Sequence, residues 1–422
     1  MGPLTRSFEE QLDALALLAL RVGVGFMQGD RLRLAGPLEA SPLVRRITAL
    51  AYDLGASYVD VRYTDAEIQL ARALHAQDAT LDHFPQEHAD LAYLVAARGD
   101  PVIHVTGADP GLMSRADPTR VKRMTRAADR ANRRARDLGM RSFMPWTIVP
   151  SATPAWARKV FPAEGEAVER LWHEIFAATR ATATDPVVAW EAHAAGLDAR
   201  ARRLSDAEFV ALHLRGPGTD LRIALCEGHV WEGASVTAEV DGRRIVANIP
   251  TEEVFTAPHA RRVDGVVRAT KPLSYAGQLI DGFSLTFEDG AVVDATAERG
   301  QAVLDGLLEA DAGARRLGEV ALVPHSSPIS RSGLLFFNTL LDENAACHLA
   351  LGDAYLTSVH GGLERPREAL EADGLNRSLV HVDFMVGSSD LDVDGVRRDG
   401  EVVPVMRGGE WEILDRRGTL VP

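Results

Sequence analysis

The sequence predicts an α/β N-terminal domain, with a sheet flanked by helices, followed by an α+β C-terminal domain. Between residues 8 and 185, helical periodicity alternates with short β-rich runs, as in layered α/β folds. After residue 205, apolar and polar residues alternate and turn signals recur, which is typical of antiparallel strands. At 422 residues, the chain is also long enough for two hydrophobic cores.

The elements of the N-terminal domain follow from these periodicities. Helices are predicted where apolar residues recur at helical spacing, at residues 12–21, 42–54, 118–141, 164–180 and 187–203. Strands are predicted in short apolar runs, at residues 31–34, 58–63 and 101–106. The segment 144–162 is rich in proline and tryptophan, so we expect it to cross between elements or to border a cleft. A parallel sheet covered by helices is the simplest arrangement.

The C-terminal domain is predicted to begin near residue 210. The change of pattern falls between Arg203 and Gly216, which places the two domains at residues 1–210 and 211–422. Turn signals at 216–219, 241–242 and 289–290 separate the expected antiparallel strands.

Charge and cysteine content exclude several classes of protein. The net charge is −14, whereas nucleic-acid binding would require a basic surface. Cys226 and Cys347 are the only cysteines and lie far apart, which is typical of a reducing compartment. The apolar stretch 12–24 is interrupted by Asp13 and Arg21, so it is neither a signal peptide nor a membrane span. We therefore expect a cytoplasmic protein that binds neither nucleic acid nor membranes.

Two apolar segments of the C-terminal half carry acidic residues. Glu253 either points inward from the end of a strand or lies on an exposed acidic turn. Glu319 opens an apolar strand, where it is either solvated or buried with a cation. Burial without a partner would be strongly unfavourable, and a metal ion would remove that cost.

The segment 338–355 (NTLLDENAACHLALGDAY) is predicted to be helical from the spacing of its apolar residues. On that helix, Asn344, His348 and Tyr355 would project in similar directions, while Glu343 would project elsewhere. His348 is then either a ligand or a core histidine that bonds to a carbonyl group.

The segment 379–387 (LVHVDFMVG) is the most informative, because it places two kinds of ligand on one face of a strand. Strand alternation brings His381, Asp383 and Met385 together. An imidazole and a carboxylate within an apolar strand are costly unless they bond to each other or bind an ion. We favour an ion, and a His–Asp hydrogen bond is the alternative.

Together, these segments supply carboxylates, imidazoles and a phenol. Such mixtures suit zinc, cobalt or manganese, and a bridging carboxylate can hold two ions about 3.5–4 Å apart. The sequence has neither a Gly-x-Ser-x-Gly elbow nor a Gly-x-x-x-x-Gly-Lys phosphate loop. We therefore predict that the C-terminal domain carries the dinuclear metal site of a hydrolase.

Several short segments of the C-terminal half resemble those of a known enzyme family. They are residues 248–258 (NIPTEEVFTAP), 318–323 (GEVALV), 338–340 (NTL), 342–345 (DENA), 348–352 (HLALG) and 381–385 (HVDFM). The family is that of aminopeptidase T, thermophilic metallo-aminopeptidases that include aminopeptidase S and aminopeptidase II. Residues 21–24 and 55–61 also look like the family, so the resemblance covers essentially the whole chain.

The resemblance implies a set of site residues. The residues that match ligands of two divalent metal ions per subunit are Glu253, Glu319, His348, His381 and Asp383, with Glu319 as the bridge. Tyr355 matches the family's active-site tyrosine. Glu343 lies in the most recognisable segment, where it is expected to contact a metal or the water.

The resemblance also implies an activity, the release of N-terminal amino acids from peptides with broad specificity by a homodimer. In this chemistry, two cations acidify a water molecule and polarise the scissile carbonyl, and Glu319 or Glu343 takes the proton. Tyr355 donates a hydrogen bond to the developing oxyanion. The substrate needs a free N-terminus, which an acidic recess could bind by charge pairing. The alternative is another dinuclear amide hydrolase, such as a dipeptidase or a deacylase.

Overall fold

The computed structural model describes residues 6–162, 165–275 and 278–412. The described chain divides into two compact units. The first runs to His193 and includes Ser235–Pro250, and the second comprises Ala194–Ala234 and the residues from Thr251 onwards. In the structure, each compact unit comprises two separate stretches of chain. The single boundary predicted at residue 210 stays a prediction.

The strands of the described residues, numbered in chain order, are β1 (Arg31–Pro37), β2 (Tyr58–Thr64), β3 (Val102–Thr106), β4 (Trp146–Pro150), β5 (Phe209–Gly216), β6 (Thr219–Leu225), β7 (Ser235–Thr237), β8 (Arg244–Val246), β9 (Val254–Thr256), β10 (Pro258–Arg268), β11 (Leu273–Tyr275), β12 (Gln278–Ile280), β13 (Ser284–Glu288), β14 (Ala291–Thr296), β15 (Leu317–Leu322), β16 (His348–Gly352), β17 (His381–Met385), β18 (Asp392–Arg397), β19 (Val402–Arg407) and β20 (Glu410–Trp411). The α-helices are α1 (Phe8–Leu18), α2 (Ser41–Asp53), α3 (Ala66–His75), α4 (Gln86–Arg98), α5 (Pro118–Met140), α6 (Pro154–Val160), α7 (Ala167–Ala178), α8 (Pro186–Asp206), α9 (Gln301–Leu308), α10 (Pro328–Ser332), α11 (Thr339–Asp342) and α12 (Arg367–Ala372).

The first unit contains the predicted parallel sheet with helices. Its strand order is β2-β1-β3-β4, and every pairing is parallel. Helix α1 begins with a capping box, in which Ser7 and Glu10 satisfy each other's backbone N–H groups. No helix of the described residues is both long and apolar enough to span a membrane.

Residues 144–162 were expected to cross between elements or to border a cleft, and the first of these alternatives is wrong. This segment forms the edge strand β4 and the helix α6. Proline is compatible with both positions: Pro150 is the last residue of an edge strand, and Pro154 is the first residue of a helix. Because both prolines lie at the ends of regular elements, the sequence pattern looked like a break between elements.

The second unit is dominated by antiparallel sheets, as predicted. One has eight strands in the order β14-β13-β10-β6-β5-β18-β19-β20, and another has four in the order β17-β16-β15-β9. The four-stranded sheet has two very different faces. Its apolar face packs into the core of the unit through Leu322, Leu349, Leu351, Val382 and Phe384. The opposite face includes the small residues Ala321, Ala350 and Gly352, whose pairing partners in the sheet are acidic residues and histidines. We call it the polar face.

The helix predicted over residues 338–355 is wrong beyond its first turns. Helix α11 ends at Asp342, a 3₁₀ turn spans Glu343–Ala345, and His348–Gly352 forms strand β16. Strand β16 is buried on both faces and pairs with β15 and β17. A short apolar run of this kind does not distinguish a strand from a buried helix, so pairing with the neighbouring strands decides the structure.

Gly352 is the last residue of β16, and substituting it tests how closely the backbone packs at this position. Its φ is 111°, and an added Cβ would lie 2.0 Å from the carbonyl oxygen of Val380. We expect Gly352→Ala to lower the free energy of unfolding by about 2–5 kcal/mol, because backbone strain adds to the clash. Gly400 is a matched control, with a φ of 90° but open space around it. Gly400→Ala should cost about 1–2 kcal/mol. If urea unfolding shows that the two variants lose the same free energy of unfolding, close packing around Gly352 is not the cause.

Candidate metal centre

The register of the four-stranded sheet brings the candidate ligands to its polar face. Ala350, in the central strand β16, pairs with Glu319 on one side and with Asp383 on the other. Ala321 pairs with His348, and Gly352 pairs with His381. Small residues therefore lie between the polar ones and leave room above the sheet for a ligand.

Two groups of three side chains share Glu319. In the first group, His348 Nε2 lies 3.0 Å from Glu253 Oε2 and 3.5 Å from Glu319 Oε1. In the second, His381 Nε2 lies 3.7 Å from Glu319 Oε2 and 3.4 Å from Asp383 Oδ1. Each group offers three ligand atoms within reach of one metal ion. The two oxygens of Glu319 point to different groups, as a bridging carboxylate would require.

Both histidines are oriented by backbone carbonyl groups. The Nδ1 atom of His348 lies 3.1 Å from the carbonyl oxygen of Ala346, and that of His381 lies 2.7 Å from the carbonyl oxygen of Asp353. Because a carbonyl group only accepts hydrogen bonds, Nδ1 must carry the proton in both rings. Nε2 then faces the carboxylates, which is the usual orientation of a metal-binding histidine.

The side chains of the two groups perturb one another's pKa values strongly. Burial raises the pKa of Glu319 to about 7. Burial alone would lower the pKa of His381, but Asp383 and Glu319 outweigh it and raise that pKa to about 10. His348 behaves in the same way, since the carboxylates of Glu253 and Glu319 raise its pKa well above the ordinary value. At neutral pH, the metal-free cluster therefore holds protons in place of cations.

The donors fit divalent cations in number and kind. Three carboxylates and two imidazoles converge in a largely buried place, and none of the described lysines or arginines pairs with these carboxylates. The Oδ1 atom of Asp383 is buried and makes no hydrogen bond of normal geometry with the described residues, although His381 Nε2 lies 3.4 Å away. Such an unsatisfied buried oxygen is costly unless a cation binds it. The chemistry suits zinc, cobalt or manganese.

Tyr355 and Glu343 lie beside these groups. The ring of Tyr355 packs edge-on against His381, with 5.2 Å between ring centres. Burial and the nearby carboxylates, first Glu319 and then Asp383, raise the pKa of Tyr355 well above its ordinary value, so its phenol stays protonated. Glu343 lines a small pocket together with Asp383. Burial and the charges of Asp383 and Glu253 raise the pKa of Glu343 well above its ordinary value.

Every candidate residue from the sequence lies in this region of the second unit. The alternative of an exposed acidic turn is wrong for Glu253, which is 8% exposed. Asn344 was not assigned to the site from sequence, yet its side chain accepts from Glu252 N–H at 2.7 Å and donates to the carbonyl of Leu340 at 2.9 Å. It thus ties the segment before β9 to α11. The sequence signal that could have identified Asn344 was its position beside Glu343. The backbone carbonyl groups that orient the two histidines have no such signal in the sequence.

Comparisons with known proteins find relatives along nearly the whole chain. The family model for thermophilic metalloprotease (M29) matches residues 8–411. Aminopeptidase T from Thermus aquaticus is 46% identical over 410 residues, which cover 96% of this chain and 100% of that protein. Aminopeptidase 2 from Geobacillus stearothermophilus is 44% identical over 406 residues, covering 96% of this chain and 98% of that protein.

A solved structure, wild-type AmpT from Thermus thermophilus, matches with a TM-score of 0.91 and 44% identity, covering 96% of this chain and 100% of that one. The predicted fold class and the resemblance to the aminopeptidase T family are thereby confirmed. The chain belongs to the thermophilic metalloprotease (M29) family and is a hydrolase of peptide bonds.

Proposed function

We propose that the protein is a metal-dependent aminopeptidase that releases N-terminal amino acids from peptides at a two-ion centre. The ligands are Glu253, Glu319 and His348 for one ion and Glu319, His381 and Asp383 for the other. The observation that carries the proposal is the position of Glu319, whose two oxygens face different groups. The names of the relatives, aminopeptidases T and 2, support the choice of reaction.

Divalent cations held by these residues would supply Lewis acidity, which activates water at neutral pH and polarises a peptide carbonyl. The protein contributes the groups around them. Glu319 belongs to both ligand groups, so both of its oxygens are assigned to cations. Glu343 belongs to neither group and lies beside Asp383. We therefore assign Glu343 as the base that takes a proton from the attacking water. Bound cations would offset the charges of Asp383 and Glu253, which help to raise the pKa of Glu343, and would so favour its ionised form. The protonated phenol of Tyr355 donates a hydrogen bond to the oxyanion that forms from the scissile carbonyl.

The reaction is tested by stripping the purified protein with a chelator and restoring zinc, cobalt or manganese. Free and N-acetylated peptides of two to six residues are then compared by release of amino acids. The proposal predicts metal-dependent release only from free N-termini, including those of peptides longer than dipeptides. Cleavage restricted to dipeptides would indicate a dipeptidase, and release of acyl groups would indicate a deacylase. Either result would contradict the proposal.

Tyr355→Phe is expected to lower kcat by about 10²–10³-fold while the two ions stay bound, because one hydrogen bond to the oxyanion is lost. Steady-state kinetics and elemental analysis of the same sample measure both quantities. Tyr58→Phe is the matched control, since Tyr58 is 51% exposed and lies in the first unit. A kcat within twofold of the wild type would contradict the role of Tyr355.

Metal binding is expected to release protons. In the metal-free cluster, the pKa of His381 is raised to about 10 and that of His348 well above the ordinary value. Both rings are therefore protonated at pH 7.5, and a cation must displace these protons from Nε2. Raising the pH removes this competition, so the apparent affinity should rise by up to about tenfold per displaced proton for each pH unit. Calorimetry of zinc binding in buffers of different ionisation enthalpy measures the release. Binding without proton release would contradict the ligand assignment.

We also propose that the enzyme is cytoplasmic, as its cysteine content indicates, and that it forms a homodimer, as the family resemblance implies. Light scattering of the purified protein gives its mass in solution, and a monomer at micromolar concentration would contradict the second statement.

A further inference from the structure

Glu232 lies near the candidate ligand Glu253 but has no role in the chemistry above. It lies in the second unit, on a short extended segment that pairs with β9. Its N–H donates to the carbonyl of Phe255 at 2.8 Å, and its carbonyl accepts from the N–H of Phe255 at 3.0 Å. Two residues that exchange both bonds carry their side chains on the same face. Because Phe255 is two residues after Glu253, the side chains of Glu232 and Glu253 share a face.

A second contact places the carboxylate of Glu232 next to the segment that carries Tyr355. Its Oε1 atom accepts hydrogen bonds from Thr357 Oγ1 at 2.8 Å and from Ser358 Oγ at 2.7 Å. These residues follow Tyr355 closely, and the ring of Tyr355 lies 5.7 Å from that of Phe255. Glu232 is thus fixed between β9 and the segment that carries Tyr355 by backbone and side-chain contacts together.

The other carboxylate oxygen of Glu232 is available to a ligand. Both hydroxyl groups bind Oε1, and Oε2 accepts no hydrogen bond from the described residues. The side chain is partly exposed, so a ligand can reach it. None of the described basic side chains forms an ion pair with it, and the charge of Glu253 acts on it from nearby. A cationic ligand would therefore be stabilised at this position.

Resting on the aminopeptidase function proposed above, we propose that Glu232 binds the α-ammonium group of the substrate through Oε2 and so selects for a free N-terminus. In a bound peptide, a single carbon atom separates this ammonium group from the scissile carbonyl. A carboxylate beside the metal centre is therefore in the right region to pair with it. A blocked N-terminus has no charge to offer and would leave this carboxylate without a partner.

The test compares two inhibitors that differ only in the α-amino group, L-leucine hydroxamate and 4-methylpentanohydroxamic acid. Their binding to the zinc-loaded enzyme is measured by calorimetry at pH 7.5, which requires no turnover. The wild type should bind the amino compound at least tenfold more tightly. In Glu232→Gln, this preference should fall by at least tenfold, and the affinity for the deamino compound should stay within twofold. The control is Glu227→Gln, an exposed residue of the same segment that should keep the wild-type preference.

Retention of the full preference in Glu232→Gln would overturn the inference and would assign recognition of the amine to another group, such as a cation of the metal centre. If Glu232→Gln does not fold, Glu232→Asp tests the same point, because it keeps the charge but withdraws it by one methylene. It should lose part of the preference, and an unchanged preference would overturn the inference. The proposed function fails separately, if the wild type releases no amino acids or binds neither hydroxamate.

Discussion

Glu319→Gln is expected to lower kcat/KM for N-terminal release by roughly 10⁴-fold or more, the largest loss among the single substitutions considered. Its carboxylate faces both His348 and His381, at 3.5 and 3.7 Å. A glutamine has one oxygen and no charge, so it cannot serve both groups. The same change should reduce the bound metal to fewer than two ions per chain. Peptide hydrolysis and elemental analysis after gel filtration measure the two effects.

The control for this variant is Glu288→Gln, which changes an exposed glutamate of the same unit. It should keep two ions and the wild-type rate. If Glu319→Gln also binds two ions with wild-type affinity, Glu319 is not the bridge, and the assignment of both ligand groups is wrong.

Glu343→Gln is expected to lower kcat by about 10²–10⁴-fold, because the base that takes the proton from water is lost. In contrast to Glu319→Gln, this variant should keep both ions, since Glu343 belongs to neither ligand group. Single-turnover kinetics on the zinc-loaded protein measure the chemical step. Glu309→Gln, at an exposed position, controls for the loss of a carboxylate.

The result for Glu343→Gln separates three roles. Loss of an ion would make Glu343 a ligand, and an unchanged rate would leave proton transfer to another group. Only a slow enzyme with two ions supports the assignment as a base.

The sequence pattern predicted the elements whose periodicity is simple. Alternation in residues 379–387 gives the correct face for His381 and Asp383 in β17. The prediction was wrong at 338–355, because β16 is buried on both faces and lacks a clear alternation of polar and apolar residues. It also failed at 144–162, where prolines at the ends of a strand and a helix looked like breaks. Pairing with neighbouring strands, which no local pattern contains, decided these cases.

The candidate site residues could be named from residue type and family resemblance, but their arrangement could not. The register that sets Glu319 and Asp383 on either side of Ala350 depends on pairing between strands far apart in sequence. The carbonyl groups that orient the two histidines are backbone atoms and have no signature in the sequence. Glu232 was missed because its importance comes from a backbone pairing with Phe255 and not from a motif.

The number and position of the metal ions test the central claim most directly. Crystals of the zinc-loaded protein, measured on both sides of the zinc absorption edge, locate the ions by anomalous scattering. We predict two peaks about 3.5–4 Å apart. One should be bound by Glu253, Glu319 and His348, and the other by Glu319, His381 and Asp383. A single peak, or peaks away from Glu319, in a crystal of active enzyme would contradict the two-ion account.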